Sequence, residues 1–183
     1  YGPSTPFYQG LSPISVDPTP DGGYFISGTL STGGATLDRV FLLKINSTGN
    51  IVFTKAYDSP VFDIACAGKS TPDNGYVIVG YSGPNLAGTF LLKTDSIGDL
   101  EWSKCYFPSD SCTLFGFGVT LANDRGYSIT GSFIHYTDLN IGSYDKYCVS
   151  QIKVDSIGIP QWSRLYGKPN TDNIGNSIEM ASD

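Results

Sequence analysis

His135 is the one histidine of the sequence, and so the one side chain whose unperturbed pKa suits general-base work near neutral pH. It stands in Phe133-Ile-His-Tyr-Thr-Asp-Leu-Asn140, with Asp138 close behind it. A Ser-His-Asp hydrolase needs those two groups and also a serine raised on a sharp Gly-x-Ser-x-Gly turn, and that segment does not occur. His135 therefore reads as a loop residue at the surface. A zinc site needs His or Cys pairs at short spacing. The closest cysteines, Cys105 and Cys112, bracket Tyr-Phe-Pro-Ser-Asp-Ser, which suits a disulfide loop better than a metal knuckle. No Asp-x-Asp-x-Asp-Gly loop provides a calcium site. The carboxylates are scattered among turn residues, where capping explains most of them. A glycosidase pair needs nearness only in space, so spacing alone leaves that chemistry open. No catalytic residue, no metal and no cofactor are expected.

The composition narrows the partners. The 183 residues carry 22 Gly, 11 Pro, 24 aromatics and 15% charged residues. So many aromatics with so little charge exclude a mostly disordered chain, and no long stretch free of Gly and Pro exists for a helical bundle. The net charge is −6 without a Lys/Arg cluster, which argues against a nucleic-acid partner. No run of 18 apolar residues marks a membrane span. The composition is that of an all-β protein.

Three motifs recur in fixed order. The first reads Pro-Asp-Gly-Gly-Tyr at 20–24, Pro-Asp-Asn-Gly-Tyr at 72–76 and Asn-Asp-Arg-Gly-Tyr at 123–127. The second is Lys44-Ile-Asn-Ser-Thr-Gly49, Lys93-Thr-Asp-Ser-Ile-Gly98 and Lys153-Val-Asp-Ser-Ile-Gly158. Then come an aromatic, a base and a tyrosine at alternate positions: Phe53/Lys55/Tyr57, Trp102/Lys104/Tyr106 and Trp162/Arg164/Tyr166. Repeats thus run 1–56, 57–105 and 106–165, and a partial fourth occupies 166–183. The first motif is turn chemistry: Pro presets φ, Asp caps its own backbone and Gly accepts a positive φ. It joins first strands (12–18, 63–70, 115–121) to short, apolar second strands (23–29, 76–81, 127–133) suited to burial on both faces. Third strands (40–44, 90–93, 149–153) run into the second motif, read as a hairpin of about four residues with Gly in the left-handed position. A fourth strand follows. Thirteen strands are expected, four per repeat and one at about 175–180.

Four-stranded units recurring at this interval fit the blades of a β-propeller. The fold expected is a β-propeller-like array of three blades plus the first strand of a fourth, with Trp102 and Trp162 filling the space between blades. A two-sheet sandwich and a β-solenoid are the alternatives. The succession of motifs resembles the propeller-like repeats of large secreted and surface-attached bacterial and archaeal proteins. Phe53 for Trp, Asn46 for Asp and Arg125 for Gly depart from that pattern. The resemblance implies a fold and an extracellular or cell-surface location, but no catalytic residues.

In such a location four cysteines allow disulfides. A Cys105–Cys112 bridge would contribute ~2–3 kcal/mol, while Cys66 and Cys148, inside strands, read as buried thiols. Asn46-Ser-Thr48 is an N-glycosylation sequon, and Ser96 and Ser156 in the matching Asp-Ser-Ile turns resemble acceptors of some bacterial O-glycosylation systems. Segments 30–39, 82–88 and 134–146 vary between repeats, as do 57–62 and 107–114. Of these, the tract with His135, Tyr136, Asp138, Tyr144 and Tyr147 is the most aromatic and suits sugar or protein recognition. The function expected is a non-catalytic scaffold, adhesion or fibre module, with a glycan-active enzyme or lectin as alternative. A lone first strand of a fourth blade leaves an open edge. The chain thus reads as part of a longer propeller or as one completed by self-association.

Overall fold

The first two repeat motifs fold as tight hairpin turns, and the third lies in the strand that follows the second. Thr19 N–H donates to the Gly23 carbonyl at 3.0 Å and Gly22 N–H to the Thr19 carbonyl at 2.9 Å. The same pair of bonds links Asn46 with Asn50 and Gly49 with Asn46. Each is a three-residue loop, a type I turn closed by one left-handed residue, so the second motif is a residue shorter than its spacing suggested. Gly22, Gly49, Gly98 and Gly158 hold that last position with φ near +80°. In the first motif of repeats 2 and 3 Asn74 and Arg125 hold it instead, at 64° and 66°.

The computed structural model describes residues 10–31, 38–58, 63–83, 88–108, 112–138, 143–144, 147–167 and 171–181. Among them there is no helix. The first sheet is β1 (Gly10–Pro18), β2 (Tyr24–Ser31), β3 (Arg39–Ile45) and β4 (Ile51–Tyr57). The second is β5 (Asp63–Ser70), β6 (Tyr76–Ser82), β7 (Gly88–Thr94) and β8 (Leu100–Tyr106). The third contains β9 (Cys112–Leu121), β10 (Tyr127–Asp138), β11 (Ser143–Tyr144), β12 (Cys148–Val154) and β13 (Pro160–Tyr166). Consecutive strands pair antiparallel within each four-stranded meander, and β11 adds a short edge to β10. The described residues form thirteen strands, the number expected, but the membership differs. Residues 175–180 form no strand, and the additional one is β11, inside the tract read as a loop.

Antiparallel order sorts the connections to two ends. The register Pro18↔Tyr24, Tyr24↔Ile45 and Ile45↔Ile51 gathers both tight turns of the first sheet at one end. Gly10↔Ser31 and Val40↔Tyr57 send the variable connections to the other. Most of those connections, 32–37, 59–62, 84–87, 109–111, 139–142 and 145–146, lie outside the described residues.

The inner strands β6 and β7 of the middle sheet are buried on both faces, and alternation decides which side chain serves which neighbour. Tyr76, Ile78, Phe90 and Leu92 pack against Phe25, Val40 and Leu42 of the first sheet. The intervening Val77, Val79 and Leu91 pack against Val119, Tyr127, Ile129 and Ile152 of the third. Residues of opposite parity on one strand thus belong to two different cores, which is why β6 reads as a continuous apolar run. Trp102 lies partly buried in the second core, its ring 6.0 Å from that of Tyr127. Trp162 departs from the expectation for both tryptophans: it is 40% exposed, because no sheet packs on β13 among the described residues.

The three first strands, β1, β5 and β9, meet residues 176–179 around one groove of about 190 Å³. Its walls are corresponding residues: Ile14–Val16, Cys66–Gly68, Phe117–Val119 and Asn176–Ile178. The C-terminal segment reaches that place without a ladder, through Gly175 N–H donating to the Gly131 carbonyl at 3.2 Å.

Candidate functional site

Two interlocks use the residues of the repeat motifs, and the residues that make each half of the second are also found uncovered on the two outer sheets. The first lies at the turn end of each sheet. The lysine that closes each third strand is buried: Lys44, Lys93 and Lys153 are 4%, 2% and 9% exposed. Their ammonium groups reach the aspartate of the Asp-x-Gly turn, Lys44 to Asp21 at 2.9 Å, Lys93 to Asp73 at 2.8 Å and Lys153 to Asp124 at 2.8 Å. Each also donates to the following carbonyl, Ile45, Thr94 or Val154, at 2.8–2.9 Å. A buried ammonium is tolerable only when its charge is met and its protons are bonded. Lys93 gains a second carboxylate, Glu101 at 3.0 Å, and Lys153 gains the Gln161 oxygen at 3.1 Å. The glycine before each tyrosine makes room: a Cβ on Gly23, Gly75 or Gly126 would stand 2.5–2.6 Å from the ammonium nitrogen.

The aspartates answer electrostatically. Hydrogen bonds from Thr19, then Lys44 and Gly23, hold the Asp21 carboxyl far below the usual range. Burial alone would raise Asp73, but bonds from Lys93, Thr71 and Gly75 outweigh it and bring the carboxyl down to about 2. Asp124 is lowered by Lys153 and by Gly126 N–H.

The second interlock joins one sheet to the next. Tyr57 at the end of β4 donates its hydroxyl to the Gly98 carbonyl at 2.8 Å, and Tyr106 at the end of β8 donates to Gly158 at 2.8 Å. Burial, then Asp99 for Tyr57 and Asp155 for Tyr106, raises both phenols well above their ordinary value. The aromatic side chain lies over the same turn: a Cβ on Gly98 would meet Phe53 at 2.7 Å, and one on Gly158 would meet Trp102 at 2.9 Å. The base closes the contact, with Lys55 bonded to Asp99 at 2.8 Å and the Lys104 stem against Gly158. Aromatic, base and tyrosine of one sheet therefore clasp the Asp-Ser-x-Gly turn of the following one.

Each half of the clasp also occurs uncovered. Trp162, Leu165 and Tyr166 on β13 are 40–52% exposed. In the first sheet, a Cβ on Gly49 would meet nothing within 4 Å. Tyr24 is 46% exposed, whereas its counterparts Tyr76 and Tyr127 are each 3% exposed. Trp162 and Tyr166 occupy the positions whose counterparts Phe53/Tyr57 and Trp102/Tyr106 hold a backbone turn of the next sheet.

The other sequence-predicted residues do not converge on a reaction centre. His135 and Tyr136 lie in β10 rather than in a loop, with His135 opposite Cys112 and Tyr136 opposite Tyr144. Only the backbone of Asp138 and Tyr144 is described, Asp138 pairing with Ser143. Tyr147 holds residues 171–173 through its backbone: its N–H donates to the Asp172 carboxylate at 3.2 Å and its carbonyl accepts from Asn173 N–H at 3.0 Å. No bond joins Cys105 to Cys112 in the structure, the former ending β8 and the latter opening β9. Burial pushes the Cys66 thiol up to about 12; burial and then the Asp63 carboxylate push Cys105 to about 11. Of the modification candidates, Ser96 and Ser156 are exposed and Asn46 is half-buried. The Asn46 side-chain oxygen accepts bonds from Thr48 N–H, the Thr48 hydroxyl and Asn50 N–H at 2.8–3.0 Å.

In the groove between the first strands Lys69 stands between Asp17 at 3.3 Å and Glu179 at 3.6 Å. Burial would lower its pKa, but the two carboxylates raise it overall. Among the described residues no group of three His, Cys, Asp or Glu is placed to hold a metal ion, and no helix is long and apolar enough to cross a membrane. No protein-family model matches the chain, and no curated protein is detectably similar to it.

Proposed function

We propose that this chain is a β-propeller-like scaffold module of an extracellular or cell-surface protein, non-catalytic in itself. It presents its variable connections to a protein or glycan partner. One observation carries the reading. The repeat motifs serve the Lys–Asp interlock at the turn end of each sheet and the clasp that holds one sheet's turn against the outer strand of the sheet before it, while most of the variation between repeats lies in the connections at the opposite end. A rigid, repeated frame with divergent connections on one edge is the arrangement that lets recognition change without disturbing the fold. The groove lined by corresponding residues of four successive segments supports placing the sheets around a common axis, as blades. Secretion and surface location rest on the resemblance of the motifs.

Replacing 84–87 and 139–142 by Gly-Ser segments of equal length tests this. Melting should stay unchanged while binding to intact cells or to a glycan array falls. Hydrolysis of a polysaccharide by the native chain would overturn the non-catalytic reading.

A further inference from the structure

The uncovered halves of the clasp identify each other. We propose that the β13 face of one copy docks on the first sheet of a second copy, reproducing between chains the joint made twice within the chain. Both internal joints name the contacts. An aromatic of the outer strand meets the tyrosine that opens a second strand, Phe53 with Tyr76 at 6.3 Å and Trp102 with Tyr127 at 6.0 Å. By the same register Trp162 meets Tyr24 of the second copy. The Tyr166 hydroxyl takes the Gly49 carbonyl, as Tyr57 takes Gly98 and Tyr106 takes Gly158. Arg164 lies where Lys55 lies, opposite Asn50 in the place of Asp99.

This pairing accounts for several exposed apolar groups at once. Among the described residues Trp162, Tyr166 and Tyr24 have no sheet packed on them and are exposed, and Val16, 64% exposed, corresponds to Val119 at 2%. One element stands in the way. Residues 175–180 lie over Gly118 and Thr130, and Ile178 occupies the place that Val16 of the incoming β1 would take. The segment is held by single bonds and by Glu179 on Lys69, whereas β1 has a full ladder to β2. The segment therefore yields, and its displacement weakens the association. Contact of two different surfaces either closes a ring or extends a filament, according to the rotation between copies.

Sedimentation equilibrium of the full chain from micromolar to submillimolar concentration tests the proposal. The weight-average mass should rise above the 19.6 kDa of one chain. Trp162→Ala and Tyr24→Ser should each weaken association at least tenfold while lowering the melting temperature of the dilute protein by no more than about 4 °C. Ile178→Asp, which loosens the blocking segment, should strengthen it. Arg164→Glu should weaken it, and adding Asn50→Lys should restore it, a rescue that a non-specific apolar contact would not show. A single-chain mass throughout, or association indifferent to Trp162→Ala and Tyr24→Ser, would overturn the proposal.

Discussion

Trp102 and Trp162 are equivalent in sequence but not in surroundings, so the same truncation at each measures the sheet-to-sheet joint. Trp102 packs on Tyr127 and lies over Gly158, with a neighbouring sheet across from it. A fully buried Trp→Ala costs ~3–5 kcal/mol, and the partial burial of Trp102 brings the expectation to about 2–3 kcal/mol. For a chain of this size that corresponds to roughly 5–10 °C in melting temperature. Trp162→Ala removes a ring with no sheet across from it and should cost under about 1 kcal/mol in dilute solution, as surface changes do. Urea unfolding of both variants, followed by far-ultraviolet circular dichroism because each lacks one of the two tryptophans, reads the difference. Equal losses, or a negligible loss at Trp102, would refute the joint.

Further outcomes follow from the interlocks and turns. Because Asp73 is depressed to about 2, its contribution is present above the ordinary carboxylate pKa near 4 and is lost as the pH falls through about 2. Stability measured across that window should fall, and Asp73→Asn should flatten part of the fall. Arg125→Gly relieves a left-handed non-glycine residue and should stabilise by up to about 1 kcal/mol in urea, after the entropy that glycine adds to the unfolded chain. With its thiol pushed up to about 12, Cys66 should react with a disulfide reagent at pH 8 far more slowly in the native than in the denatured protein. Reagent added in guanidinium should count four thiols, where a Cys105–Cys112 bridge would leave two. An intact mass above 19.6 kDa on native material would reveal modification at Asn46, Ser96 or Ser156.

Turns and strands were legible because their causes are local. Asp and Gly in fixed order make a hairpin whatever surrounds them, and the apolar run of β6 announces burial on both faces. The Lys–Asp interlock was missed because its partners, such as Lys44 and Asp21, lie 23 residues apart and a lysine ordinarily reads as exposed. Its signal was present: a lysine ends every third strand of a series that also keeps its turn aspartate. Trp162 was misjudged because burial belongs to the neighbour as much as to the residue, and pattern alone names no neighbour. The same reason explains residues 175–180. Their sequence suits a first strand, but a strand needs a partner to pair with, and none is described beside them.

In a propeller-like array the three sheets turn about a common axis through equivalent joints. Spin labels at Thr54, Ser103 and Ser163, corresponding exposed positions on β4, β8 and β13, measure this directly in a variant freed of its own cysteines. Pulsed dipolar spectroscopy should give equal distances for 54–103 and 103–163, and a 54–163 distance clearly shorter than their sum. Unequal neighbouring distances, or a 54–163 distance equal to the sum as in a straight stack, would contradict it.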